Sequence, residues 1–211
     1  VKNEKWNRDK PACRQAGDKE RPIADMDNDE LQPKEITFEG GRLTLILIAS
    51  VIPFYFIGDR VFHFIWDNKV PLLDISFPMW SKVLSILLAI VLHELIHGLL
   101  FALYAPHGFK SVTFGVSRTM GAIYCHCNDP LKVKHYRRAG IAPLIMLGIV
   151  PYLLGLYTGN AWFKTFGLLL SIGGFGDLLI WIKLLKFDAN LIIRDHPEKL
   201  GFTIEGGEGR M

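Results

Sequence analysis

Two histidines one helical turn apart, in His93-Glu94-Leu95-Ile96-His97, stand inside a run apolar enough to cross a membrane. No other feature constrains the chain as much. On a helix His93 and His97 share a face, so both imidazoles reach one metal ion, and Zn²⁺ suits that pair. Glu94 is then the candidate general base for a water polarised by the metal. Soluble helices also carry H-E-x-x-H, so the setting carries the argument. Ser85 to Leu92 is apolar before the motif, and Leu95 to Leu103 continues apolar after it. Burying ionisable side chains at membrane depth is costly, and a bound cation offsets that cost.

The length of 211 residues suits one domain of ordinary size. Charged residues make up 21 % of the chain and crowd into the first forty-two residues, the stretch after Pro106 and the tail after Lys183. A net charge of +3 from 24 basic and 21 acidic residues gives no footprint for nucleic acid; the apolar runs make membrane lipid an expected partner, and the H-E-x-x-H motif a peptide or membrane-protein substrate. Three cysteines make no disulfide framework, and Cys13 is remote from Cys125 and Cys127. No apolar signal segment is read in Val1 to Glu39, so insertion is expected to begin with a mature helix.

The apolar pattern predicts an all-α polytopic membrane protein with about four transmembrane helices. A short β-hairpin-like segment is expected between the second and third. The spans are read at Leu43 to Gly58, resuming after Asp59-Arg60 and kinked at Pro53; Trp80 to Tyr104; Ala139 to Tyr157; and Ala161 to Leu185. Three parts follow: a polar flexible arm over 1–40, a transmembrane metallopeptidase-like domain over 41–186 and a cytoplasmic tail over 187–211. The interval 106–138 carries Lys110, Arg118, Lys132, Lys134, Arg137 and Arg138. The other loops are poor in positive charge, which puts this interval and both termini in the cytoplasm.

A catalytic zinc site usually takes three protein ligands and a water. Asp177, in Gly173-Gly174-Phe175-Gly176-Asp177, is the leading third ligand, because an unpaired aspartate within a span is expensive. His97 and Asp177 each stand eight residues before the assigned cytoplasmic end of their span, at a shared depth of about 12 Å. The glycines would permit close helix approach or a local opening. Cys125, His126 and Cys127 are the rival donors; on a strand both thiols face one way and His126 the other. Asn128 is a candidate for substrate contact. Asp195 and His196 are candidates for orienting a ligand from outside the ligand set, although a helix starting at Asp195 with Pro197 in its first turn explains them without chemistry. His63, His107 and His135 are read as surface or interface residues.

Together the His93-Glu-Leu-Ile-His97 motif, Gly121-Ala-Ile-Tyr-Cys-His-Cys127, Ala142-Pro143, Gly174-Phe-Gly-Asp177 and Asp195-His-Pro197 resemble a bacterial family of zincin membrane peptidases. The resemblance covers about residues 80 to 205. More distantly the chain is similar to the site-2 protease class of intramembrane metalloproteases. That likeness implies His93 and His97 as zinc ligands, Glu94 as catalytic glutamate, Asp177 as the later aspartate, and cleavage of membrane-embedded or membrane-proximal peptide bonds in a plasma membrane. One departure stands out: the site-2 aspartate usually lies in an Asn- or Asp-Pro-containing motif followed by glycine, whereas Leu178 follows Asp177 here. A non-catalytic metal sensor or adaptor remains the alternative, with metal transport a distant third.

Overall fold

Long runs of Leu, Ile and Ala favour helix wherever proline and glycine do not interrupt them. The interruptions set the element boundaries in this computed structural model, which describes residues 34–37, 40–66, 78–117, 122–196 and 201–205. Most of the polar arm read at 1–40 lies outside the described residues, as do residues 67–77 between the first two expected spans.

Strand β1 (Lys34–Thr37) precedes helix α1 (Gly40–Trp66). Helix α2 (Met79–Tyr104) carries the histidine pair. It stops at Ala105, which is extended, as a residue before proline tends to be. A short 3₁₀ turn (Gly108–Ser111) leads into β2 (Val112–Ser117) and β3 (Ala122–Cys127). After β4 (Leu131–Lys132), helix α3 runs over Val133–Thr158, with a π-helical turn at Leu144–Ile149 just past Pro143. Gly159, at φ 70°, ends α3 in the left-handed conformation that glycine adopts without strain. The Asn160 side chain then caps α4 (Ala161–Gly173), accepting the N–H groups of Trp162 and Phe163 at 2.9 and 3.1 Å. Helix α5 (Phe175–Leu184) and strands β5 (Ile192–Asp195) and β6 (Gly201–Glu205) complete the described chain.

Two sheets form. β2 and β3 make an antiparallel hairpin, and the remaining strands make a four-stranded antiparallel sheet in the order β1-β6-β5-β4. The apolar face of that sheet, with Ile193, Phe202 and Ile204, packs on Phe101 of α2, Val133, Tyr136 and Ala139 of α3, and Ile180 and Leu184 of α5. One core therefore joins the sheet to the adjoining ends of three helices. Arg137 reinforces the junction by donating to the carbonyls of Leu184, at the end of α5, and of Phe187 just beyond it.

Helices α2 and α3 are each 26 residues long and apolar enough to cross a membrane. Leu88, Val91, Leu95 and Leu99 of α2 point outward and are exposed, a face that water would not tolerate but lipid would. These membrane-length helices make this a multi-pass membrane protein. The expectation of an all-α fold with four spans is nevertheless overturned. Among the described residues there are two such helices, or three if α4 and α5 count as one span broken by a 52° bend. The bend falls at Gly174, within the fourth expected span, among the glycines expected to permit close approach or a local opening. The run read as the first span, Leu43 to Gly58, lies within α1, which is not among the helices so counted over the described residues. The four-stranded sheet is the other departure. The hairpin between α2 and α3 is present as expected.

Within the helix bundle α1 meets α4 through charge. Asp59 is 5 % exposed and Lys164 is fully buried, with Nζ donating to Asp59 Oδ1 at 2.6 Å. His63 Nε2 stands 3.7 Å from the same oxygen. Tyr152 of α3 donates to the Gly58 carbonyl at 2.9 Å, and Trp66 Nε1 donates to the Leu156 carbonyl at 2.9 Å. Gly167 lets α4 lie directly on α3, since a Cβ there would strike the backbone of Tyr152. Asp59 and Lys164, each near the end of an apolar run in the sequence, meet inside the bundle.

Candidate metal centre

His93 and His97 project from one face of α2, their rings 4.9 Å apart. His97 is the more fixed. Its Nδ1 lies 3.0 Å from the Ala139 carbonyl of α3, and a carbonyl only accepts, so Nδ1 carries the proton. In the neutral ring this leaves the Nε2 lone pair directed into the site. Phe101 stacks on the other side of the ring at 6.1 Å.

Asp177 arrives from the first turn of α5. The break at Gly174 turns that short helix toward α2, so the carboxylate meets both imidazoles. Asp177 Oδ2 is 3.0 Å from His93 Nε2 and 3.5 Å from His97 Nε2, and the two Nε2 atoms are 3.2 Å apart. A tetrahedral zinc ion with bonds near 2.0–2.1 Å sets its ligand atoms roughly 3.3 Å from one another. The three observed separations fall around that value. Oδ2 is also buried and receives no well-directed hydrogen bond, despite its closeness to His93. Three electron-pair donors thus converge on one point with too few protons among them, an arrangement that a cation satisfies. The residues fit a bound metal ion.

Glu94 is half-buried beside the histidines, with Cys125 of β3 next to its carboxylate. This brings β3 against the centre. The hairpin is seated by Phe114, whose ring occupies the space left by Gly98, and by Cys127, which is buried in the core. The rival donors are not gathered with the histidines: the cluster able to hold a metal contains His93, His97 and Asp177, without Cys125, His126 or Cys127. Burial pushes the Cys125 thiol up to about 12, with the Glu94 carboxylate adding to it. Burial likewise raises Cys127 to about 11. Both thiols stay protonated at neutral pH and are poor ligands and nucleophiles in that form.

Asp195 ends strand β5 instead of opening a helix. The β4-β5 pairing carries it to the hairpin, where its Oδ2 lies 3.0 Å from His126 Nδ1. Its Oδ1 accepts from the Tyr136 hydroxyl at 3.0 Å. His196 follows the strand and donates its backbone N–H to the Gly201 carbonyl. Asn128 donates through Nδ2 to the Ser111 carbonyl and to Thr113 Oγ1, at 3.1 and 2.8 Å, and so holds the base of the hairpin. At the same corner Asp129 accepts from Ser111 Oγ and pairs with His107 Nδ1. Sequence reasoning passed over Tyr136 and the Ala139 carbonyl. Their spacing of three places them on one helix face, but nothing local marks a backbone oxygen as a histidine partner.

The His126–Asp195 pair has a testable pH response. The carboxylate raises the His126 pKa above its ordinary 6.5, its effect exceeding the opposing one of burial. The pair's stabilisation is therefore fully present below about pH 6.5 and is lost as pH rises through the higher folded value. Amide hydrogen exchange in β3, corrected for intrinsic rates, is expected to quicken as pH rises above about 6.5 and through the raised folded value. His126→Asn should abolish that step. A pH-independent corrected rate in the unaltered protein would remove this pair as a source of hairpin stability.

A sequence family described as "Putative zincin peptidase" matches residues 86–192. A curated relative from Pyrococcus woesei, described as "Uncharacterized 24.7 kDa protein in gap 5'region", is 32 % identical over 116 residues. That alignment covers 54 % of this chain and 50 % of the relative, so the chain spans about half the length of the curated relative it matches. The relative is archaeal, and the bacterial source expected from the resemblance is not supported. No solved structure matches the chain. The family match covers just over half the chain and includes both histidines, Glu94 and Asp177, and the chain belongs to this zincin peptidase family.

Proposed function

We propose that the protein is a zinc-dependent membrane endopeptidase that hydrolyses peptide bonds within or beside the bilayer. The observation that carries the proposal is the convergence of His93 Nε2, His97 Nε2 and Asp177 Oδ2 at 3.0–3.5 Å from one another. Bound by these three atoms, zinc would supply Lewis acidity toward a water and a peptide carbonyl. Glu94 accepts the proton of the attacking water and delivers it to the leaving amine. The Ala139 carbonyl keeps His97 in the tautomer that leaves Nε2 open. The hairpin packs beside Glu94 through Cys125. An extended substrate pairs with an edge of that hairpin, which presents one bond at a time to the centre. The basic interval 106–138 places the hairpin and sheet on the cytoplasmic side of a plasma membrane.

Metal content per chain in detergent-purified protein tests the ligand set. About one zinc ion is expected in the unaltered protein, with His93→Ala and Asp177→Ala each losing it. A three-ligand catalytic site would be disproved by full zinc occupancy in Asp177→Ala. Zinc held without any cleavage would favour a sensor or adaptor built on the same triad.

A further inference from the structure

The Asp195 carboxylate joins three elements at one point. Oδ1 takes the Tyr136 hydroxyl of α3, while Oδ2 takes His126 Nδ1 at 3.0 Å and the Cys127 backbone N–H at 3.4 Å. Two residues earlier on the same strand, Cys125 lies beside the Glu94 carboxylate, where β3 packs on α2. Backbone N–H groups at i and i+2 of a strand point to the same edge. One edge of β3 is therefore held by Asp195 from the C-terminal sheet and runs beside Glu94 of the metal-bearing helix.

We propose that Asp195 is a positioning residue that fixes the β3 edge and, through Cys125 on that edge, the orientation of Glu94. This inference rests on Glu94 being the proton acceptor in the proposed function. Asp195 touches neither the three metal-binding atoms nor the reacting groups, so its influence runs through the strand. Hydrogen bonds to a charged acceptor are shorter and stronger than neutral ones, which suits a carboxylate to the task. Its anchoring to α3 is also apt, because Tyr136 and Ala139 lie one turn apart and Ala139 holds His97. Base and ligand are thereby referenced to the same helix. A catalytic group displaced by about 1 Å commonly loses on the order of 10²-fold in rate. An asparagine at 195 keeps the shape but offers an amide NH₂ in place of one oxygen, so it cannot accept from all three donors.

The test uses the full zinc-loaded chain in detergent and compares the unaltered protein with Asp195→Asn, Asp195→Glu, Tyr136→Phe and Glu94→Gln. Three quantities are read: site-resolved amide exchange at Cys125 and Cys127, zinc per chain, and cleavage of fluorescein-labelled casein. Asp195→Asn is expected to speed exchange about tenfold at both amides, retain zinc, and lower kcat by roughly ten- to a hundredfold with KM nearly unchanged. Glu94→Gln should leave exchange at Cys127 alone. Asp195→Glu should recover part of kcat. The proposal is overturned if Asp195→Asn speeds exchange at Cys127 while Cys125 and kcat stay as in the unaltered protein. Should Asp195→Asn fail to fold, Tyr136→Phe decides by the same two amides, because it loosens the carboxylate without removing it. An unaltered protein that cleaves no casein counts against the peptidase reading, while the exchange at Cys125 still decides whether Asp195 acts on that edge.

Discussion

Glu94→Gln is expected to hold about one zinc ion per chain and to cleave labelled casein roughly 10²–10⁴-fold more slowly than the unaltered protein. The two halves of that result have separate causes. The three atoms that gather at the centre belong to His93, His97 and Asp177, so glutamine at 94 removes no ligand. What it lacks is an ionised carboxylate to take a proton, the whole of the role assigned to this side chain. His97→Ala should lose both metal and cleavage. Undiminished cleavage by Glu94→Gln would end the general-base assignment. Loss of zinc from it would mean that Glu94 is itself a ligand.

Lys164→Met is expected to destabilise the protein by about 3–5 kcal/mol, because it leaves Asp59 buried without its counter-ion. The double change Asp59→Asn with Lys164→Met should regain most of that loss, since two neutral side chains carry no unpaired charge into the bundle. His63 and Tyr152 are too few to take over from Lys164: His63 stands 3.7 Å from Asp59, and the Tyr152 hydroxyl is already bonded to the Gly58 carbonyl. The check is reversible unfolding in mixed detergent micelles, completed as a double-mutant cycle. Additive single and double changes would show that the two charges do not depend on each other, and would overturn their role as the link between α1 and α4.

The metal centre was more legible in the sequence than the fold around it, for a physical reason. His93 and His97 are related by one helical turn, a local rule, and Asp177 could be set at their depth because residue count converts to distance along a helix. The break at Gly174 obeys no such rule. The glycine-rich run around it permits either close packing or a bend, and only the contact with Leu144 of α3 distinguishes the two. The four-stranded sheet was hidden because its strands are two to five residues long and find partners far away in sequence, as when Lys34 pairs with Ile204. Asp195 suffered from the same distance: its neighbours His126, Cys127 and Tyr136 are brought to it by strand pairing, so its local sequence suggested a helix cap. The Asp59–Lys164 pair was not legible because each lies near the end of an apolar run, where a charge normally meets water.

The pairing of β1 with β6 bears on how the protein is made. The earliest and latest described segments lie side by side in one sheet, so they must end on the same face of the membrane. That sheet carries Asp195, and its apolar face fills the core beneath α2, α3 and α5. A ribosome that has delivered the histidines and the hairpin still retains the strands that hold them. The helices can enter the bilayer in turn, but the hairpin gains its anchor only after residue 205 has emerged. A nascent chain would thus carry an unfinished centre until those last strands emerge and close the sheet.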